Sequence, residues 1–172
     1  MAVETNADMN NQFGGLTTAY QMPVFAGGVQ GEYENGEPGS YGANLWIYNA
    51  PVDIQGRPKE YHWGKISRST LPTSTPLILD SMWRGGGPWY QGDRLGYLAA
   101  SGPGISSQQA SHEMEHFNVP RHGSGKRVQV VFFDGSVSAI KTRELWGLKW
   151  NREWDQNWQS ANYPLPAWLN AE

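Results

Sequence analysis

Apolar and polar positions alternate most regularly between Lys126 and Lys141, where two apolar-rich runs flank Asp134-Gly135. A period of two predicts β-strand, and Asp-Gly between two such runs is a strong hairpin signal. A two-residue type I′ turn at Asp134-Gly135 sets Phe132 opposite Val137, Val130 opposite Ala139 and Val128 opposite Lys141. One face then carries Val128, Val130, Phe132, Val137 and Ala139, and the other Gln129, Val131, Phe133, Ser136, Ser138 and Ile140. An isolated hairpin is marginal in water, so this one must lie on further strands or a helix. Just beyond it, Leu145 with Leu148 and Trp146 with Trp150 recur at helical spacing, which predicts a short helical turn over Thr142 to Trp150.

Upstream the pattern is less regular. Residues 1–38 are polar and glycine-punctuated, with only Tyr20 to Phe25 apolar enough to pack, and read as an irregular segment holding at most one short strand. Gly39-Ser40 turns into a strand running to Tyr48, whose aromatic content suits a half-buried pleated surface. A brief extended or helical piece is expected at Tyr61 to Ile66. Pro76-Leu77-Ile78-Leu79-Asp80 is short and almost wholly apolar, the pattern of a central strand buried on both faces. Ser81 to Gly104 forms a long loop, and Ser106 to Phe117 reads as helix or partly strand, ended by Pro120. Residues 151–172 read as a strap anchored by Trp154, Trp158, Tyr163 and Trp168. No internal repeat or boundary divides the chain, so residues 1–172 are read as one globular domain. Its class is α+β, mainly β: an antiparallel sheet of about four strands, with the hairpin near its centre, long irregular loops and one or two short helices.

Composition narrows the function classes. The 172 residues can enclose a real core, and 21 glycines with 11 prolines fit short strands and many loops. A net charge of −3 without a basic cluster argues against nucleic acid as a partner. With no cysteine, disulfide and thiolate chemistry are closed. No apolar run approaches the ~20 residues of a spanning helix, and no signal peptide is visible at the N-terminus.

The sharpest chemical motif is His112-Glu113-Met114-Glu115-His116, a match to H-E-x-x-H. On an α-helix, His112 and His116 would share a face and grip zinc while Glu113 activates a bound water, with His122 at the spacing of a third ligand. Val119-Pro120 stands where such a site needs a glycine turn, and no methionine follows Met114 to supply a Met-turn. A zinc hydrolase is therefore the alternative to a chain without cofactor or metal. His122 is read as hydrogen-bonding a loop backbone beside the hairpin, and Asp134 as a turn residue. Exposed indoles among Trp83, Trp89, Trp154 and Trp158 would offer a sugar-stacking platform, making a glycan a second alternative partner.

The hairpin and its surroundings resemble the bacterial prepilin-like proteins with a C-terminal H-x9-D-G motif, relatives of the type II secretion pseudopilins. The matching positions are Arg121-His122, Gly123 to Gly125, Val128 to Phe133, Asp134-Gly135, Ser136 to Ile140 and Glu144-Leu145-Trp146-Gly147-Leu148-Lys149-Trp150. Gly39 to Trp46 and Pro76 to Trp83 look like the family's upstream elements. Eleven residues, not nine, separate His122 from Asp134 in this chain. The resemblance implies a pilin-head-like fold with His122, Asp134, Gly135, Leu145, Trp146, Leu148, Lys149 and Trp150 as motif residues. It also implies a non-catalytic function: the soluble head of a pilin- or pseudopilin-like subunit, with other pilin-like or secretion-system subunits as partners. Such a head belongs to the cell envelope or the extracellular space, and meets a membrane only through an N-terminal helix that this chain lacks. Truncation of that helix is the expected reason.

Overall fold

The computed structural model describes residues 38–54, 57–88, 113–117, 119–122 and 126–156, with short strand segments at 4–5, 18–21, 24–25 and 33–34. The strands are β1 (Glu4–Thr5), β2 (Thr18–Gln21), β3 (Val24–Phe25), β4 (Tyr33–Glu34), β5 (Pro38–Gly39), β6 (Tyr41–Asn44), β7 (Pro76–Asp80), β8 (Gly85–Gly86), β9 (Arg127–Phe132) and β10 (Val137–Lys141). The first 38 residues thus carry several short strands where an irregular segment was expected. They pair as β1-β2-β5 and β3-β4.

The main sheet has five strands in the order β10-β9-β7-β6-β8. Its three antiparallel pairings follow the expected mainly-β plan, while β6 and β8 run parallel. The apolar strand β7 takes the centre and the hairpin lies at one end, with β10 as the edge, so the expected central placement of the hairpin is corrected. Nor is β7 buried on both faces: Leu79 is fully enclosed, but Ile78 on the opposite side is 40% exposed. The strand predicted through Tyr48 stops at Asn44, where the chain turns at Leu45-Trp46. Gly42 is obligatory in β6, because a Cβ there would collide with the Trp83 carbonyl oxygen. The expected segment near Tyr61 is two short 3-10 turns, Lys59–Tyr61 and Ile66–Arg68.

The hairpin register also differs from expectation. Val131 faces Val137, Val130 faces Ser138 and Val128 faces Ile140. The Phe132 N–H donates to the Ser136 carbonyl, and the Gly135 N–H folds back on the Phe132 carbonyl. The loop is therefore three residues, Phe133-Asp134-Gly135, with Gly135 in the left-handed region at φ 83°. Two causes select it. The Asp134 carboxylate accepts from the backbone N–H and the hydroxyl of Ser136, at 3.0 and 2.7 Å, pinning the third turn position. The shift also sends Ile140, the bulkiest apolar residue of β10, toward the core and leaves Val137 outside, 64% exposed. Val128, Val130 and Phe132 share a face as expected, and it lines the core; Val137 and Ala139 do not share it.

The core gathers Trp46, Trp63, Trp146, Trp150 and Trp154 with Phe117, Phe132, Phe133, Leu79 and Leu145. Buried indoles need an acceptor for the ring N–H, and backbone carbonyls supply it: Pro88 for Trp46, Trp150 for Trp63, Leu145 for Trp150 and Trp146 for Trp154. The predicted turn after the hairpin is a 3-10 helix over Thr142–Gly147. It drives Leu145, Trp146, Leu148 and Trp150 into this core. No helix among the described residues is long and apolar enough to cross a membrane.

Candidate functional site

The polar residues that stand out in this fold converge where β7 ends. In β9, Phe132 turns its N–H toward β10, so the alternate residues Val131, Gln129 and Arg127 turn theirs toward β7. β7 pairs with β9, across an irregularity between Pro76 and Ile78, only as far as Leu79. Beyond that point the Gln129 N–H finds a side chain instead of a strand carbonyl, donating to Asp80 Oδ2 at 2.7 Å. Two residues further, His122 takes the place that β7 has vacated. Its N–H donates to the Arg127 carbonyl at 3.1 Å, and its carbonyl accepts from the Arg127 N–H at 3.0 Å.

The His122 ring then closes the junction, with Nε2 lying 3.2 Å from Asp80 Oδ2 and 3.4 Å from Oδ1. The side chains are unequally covered, Asp80 2% and His122 40% exposed. Burial raises the Asp80 carboxyl above the ordinary aspartate range, against the opposing pull of the Gln129 N–H, His122 and Arg121. Arg121 adds a clamp, its guanidinium donating to the carbonyls of Ser40 and Ser81 at 2.8 and 3.1 Å.

An imidazole oriented by a carboxylate is half of an acid–base device, and the other half would be a nucleophile or ligand beside it. The adjacent Ser81 hydroxyl is directed elsewhere, donating to the His116 carbonyl at 3.0 Å and accepting from the Trp83 N–H at 3.1 Å. Asp80 ties the end of β7 to β9 and to the segment leading into it.

The residues of the zinc alternative are described only in part. His112 lies outside the described residues, as does the Glu113 side chain. Glu113–Phe117 is a 3-10 turn, and its His116 is buried, with Nδ1 2.7 Å from the Gly85 carbonyl. Because the partner is a carbonyl, Nδ1 carries the proton. Burial lowers the His116 pKa to about 4, so the ring is neutral at pH 7. His122, the presumptive third ligand, is instead turned to Asp80. Among the described residues no group of three or more His, Cys, Asp or Glu is placed to hold a metal ion.

The motif residues separate into three places. Asp134 and Gly135 are at the hairpin tip, with Asp134 held below the ordinary aspartate range by its hydrogen bonds from Ser136. His122 is at the opposite end of β9, and its carboxylate partner is Asp80, not Asp134. Leu145, Trp146, Leu148 and Trp150 are core residues, and the Lys149 N–H donates to the Ser74 carbonyl. Of the four tryptophans proposed for a sugar platform, Trp154 is buried and Trp83 half-buried, while Trp89 and Trp158 lie outside the described residues.

Sequence reasoning missed Asn44. It is fully buried, donates to the Pro76 and Trp150 carbonyls at 2.9 and 3.0 Å, and accepts from the Trp46 N–H at 3.0 Å. It joins the start of β7 to the C-terminal tryptophan segment. Compared with family models, curated proteins and solved structures, the chain finds no match.

Proposed function

We propose that this chain is the globular head of a pilin- or pseudopilin-like subunit of the cell envelope or of a secretion apparatus, a presenting and assembling part rather than a catalyst. The observation that carries the reading is how the separated stretches resembling that group engage one another. Ser40 and Ser81 are joined through Arg121, Asn44 reaches Trp150, and His122 holds Asp80. Side chains that look like candidate chemistry in the sequence are thus employed in closing a sheet, as expected of a motif selected for a fold. The arrangement leaves loops and a sheet face to meet partners.

The natural reading frame upstream of residue 1, with fractionation of the full-length product, tests this. A basic leader followed by a ~20-residue apolar helix, with the product in the envelope fraction, is the expected result. A frame that starts at Met1, with a product confined to the cytosol, would overturn it.

A further inference from the structure

The face of the main sheet turned away from the tryptophan core carries an apolar row, beside the Asp80–Gln129 junction. Register carries Val137 of β10, Val131 of β9, Ile78 of β7 and Ala43 of β6 across four strands in one row. Tyr41, two residues before Ala43, and Ala139, two after Val137, extend it on the same side. Within this group Val137 is 64%, Tyr41 55% and Ile78 40% exposed. Isolated exposed apolar residues are ordinary, but a contiguous row across a sheet marks an interaction surface.

The geometry restricts how a partner can arrive. Strand addition at β10 is obstructed, because groups on its outer edge are already satisfied. The Arg127 guanidinium donates to the Ala139 carbonyl at 2.7 Å, and the Lys141 N–H donates to the Glu144 carboxylate at 2.9 Å. A partner must therefore lie on the face. The charges around that face are arranged head to tail: exposed Asp134 at the hairpin tip, and at the opposite end Lys126, Arg127 and Lys141, which outnumber the Glu144 carboxylate there. Two copies related by a two-fold axis through the row would lay apolar row on apolar row. Each Asp134 would then turn toward the basic end of the other copy, the self-complementarity that an isologous contact requires.

We propose that this face pairs with the same face of a second copy of the chain. The inference does not rest on the envelope reading, since it follows from the sheet alone and would hold in any compartment.

Sedimentation velocity of the full chain over a wide concentration range tests it, with trapping by introduced cysteines. Wild type should form a concentration-dependent dimer that loosens at high salt. Val137→Lys should weaken it by about tenfold or more, whereas Val52→Lys, at a residue 63% exposed and outside the strands, should leave it unchanged. Because the chain has no cysteine of its own, Ile78→Cys, Val131→Cys and Val137→Cys each report on one position of the row. At least one should form a reducible dimer under mild oxidation faster than Val52→Cys. Sedimentation as a monomer throughout, a dimer indifferent to Val137→Lys, or trapping no faster on the row than at Val52 would each overturn the proposal.

Discussion

If Asp80 is the pin that closes the sheet, Asp80→Ala, Asp80→Asn and His122→Ala should differ in a defined order. Alanine at position 80 leaves the Gln129 N–H without the carboxylate that it reaches at 2.7 Å. A hydrogen bond to a charged acceptor is worth about 1.5–3 kcal/mol. The His122 contact adds less, because that side chain is 40% exposed, and about 0.2–1 kcal/mol is the appropriate range. Asp80→Ala should thus cost about 2–4 kcal/mol and His122→Ala about 1 kcal/mol or less. Asparagine keeps an oxygen for Gln129 while removing a charge that burial disfavours, so Asp80→Asn should stay within about 1 kcal/mol of wild type. Urea unfolding followed by tryptophan fluorescence reads all three as midpoint shifts at constant slope. The double variant Asp80→Ala/His122→Ala should fall short of additivity by about 0.5 kcal/mol or more. pH supplies a further check. The folded-state pKa of Asp80 lies above its unfolded value, so the native state holds the additional proton between the two. Stability therefore declines as pH rises through that window, and Asp80→Asn should lack this decline. An Asp80→Ala protein within about 0.5 kcal/mol of wild type, or strict additivity with His122→Ala, would refute the account of the junction.

Three further outcomes follow from neighbouring groups. The His116 pKa is lowered by burial to about 4, so the unfolded state binds the proton first, and stability should fall as pH drops from about 6.5 toward 4, by up to ~3 kcal/mol. His116→Asn retains an N–H donor for the Gly85 carbonyl and should flatten that acid limb; an unchanged limb would exclude His116 as its source. Asn44→Ala removes three buried hydrogen bonds and should cost about 3 kcal/mol or more by urea unfolding. Asn44→Asp should do no better, since its carboxylate would face two carbonyl oxygens. Gly42→Ala should cost about 2–3 kcal/mol or more, because its Cβ would also lie 2.8 Å from Ser81 Cβ; Gly147→Ala, with nothing within 4 Å, is the neutral control.

How legible these features were in the sequence depended on whether one local pattern determined them. The hairpin was legible because alternation and Asp-Gly agree, and β7 because Pro76 to Leu79 are four successive apolar residues. The register was not. Asp-Gly serves a two-residue turn and also the last two positions of a three-residue loop, and what decides between them is the Asp134–Ser136 contact and the pull of Ile140 toward the core. The Asp80–His122 link spans 42 residues, beyond the reach of any periodicity. Its one local trace is a carboxylate ending an apolar strand, which has no turn to make and must be answered by some partner. The H-E-x-x-H pattern poses the opposite problem, a local pattern whose meaning depends on helix type. Histidines four apart share a face at 3.6 residues per turn. In a 3-10 turn such as Glu113–Phe117 that spacing carries a side chain about 120° round the axis. The Nδ1 of His116 meets the Gly85 carbonyl, holding the 3-10 turn against β8.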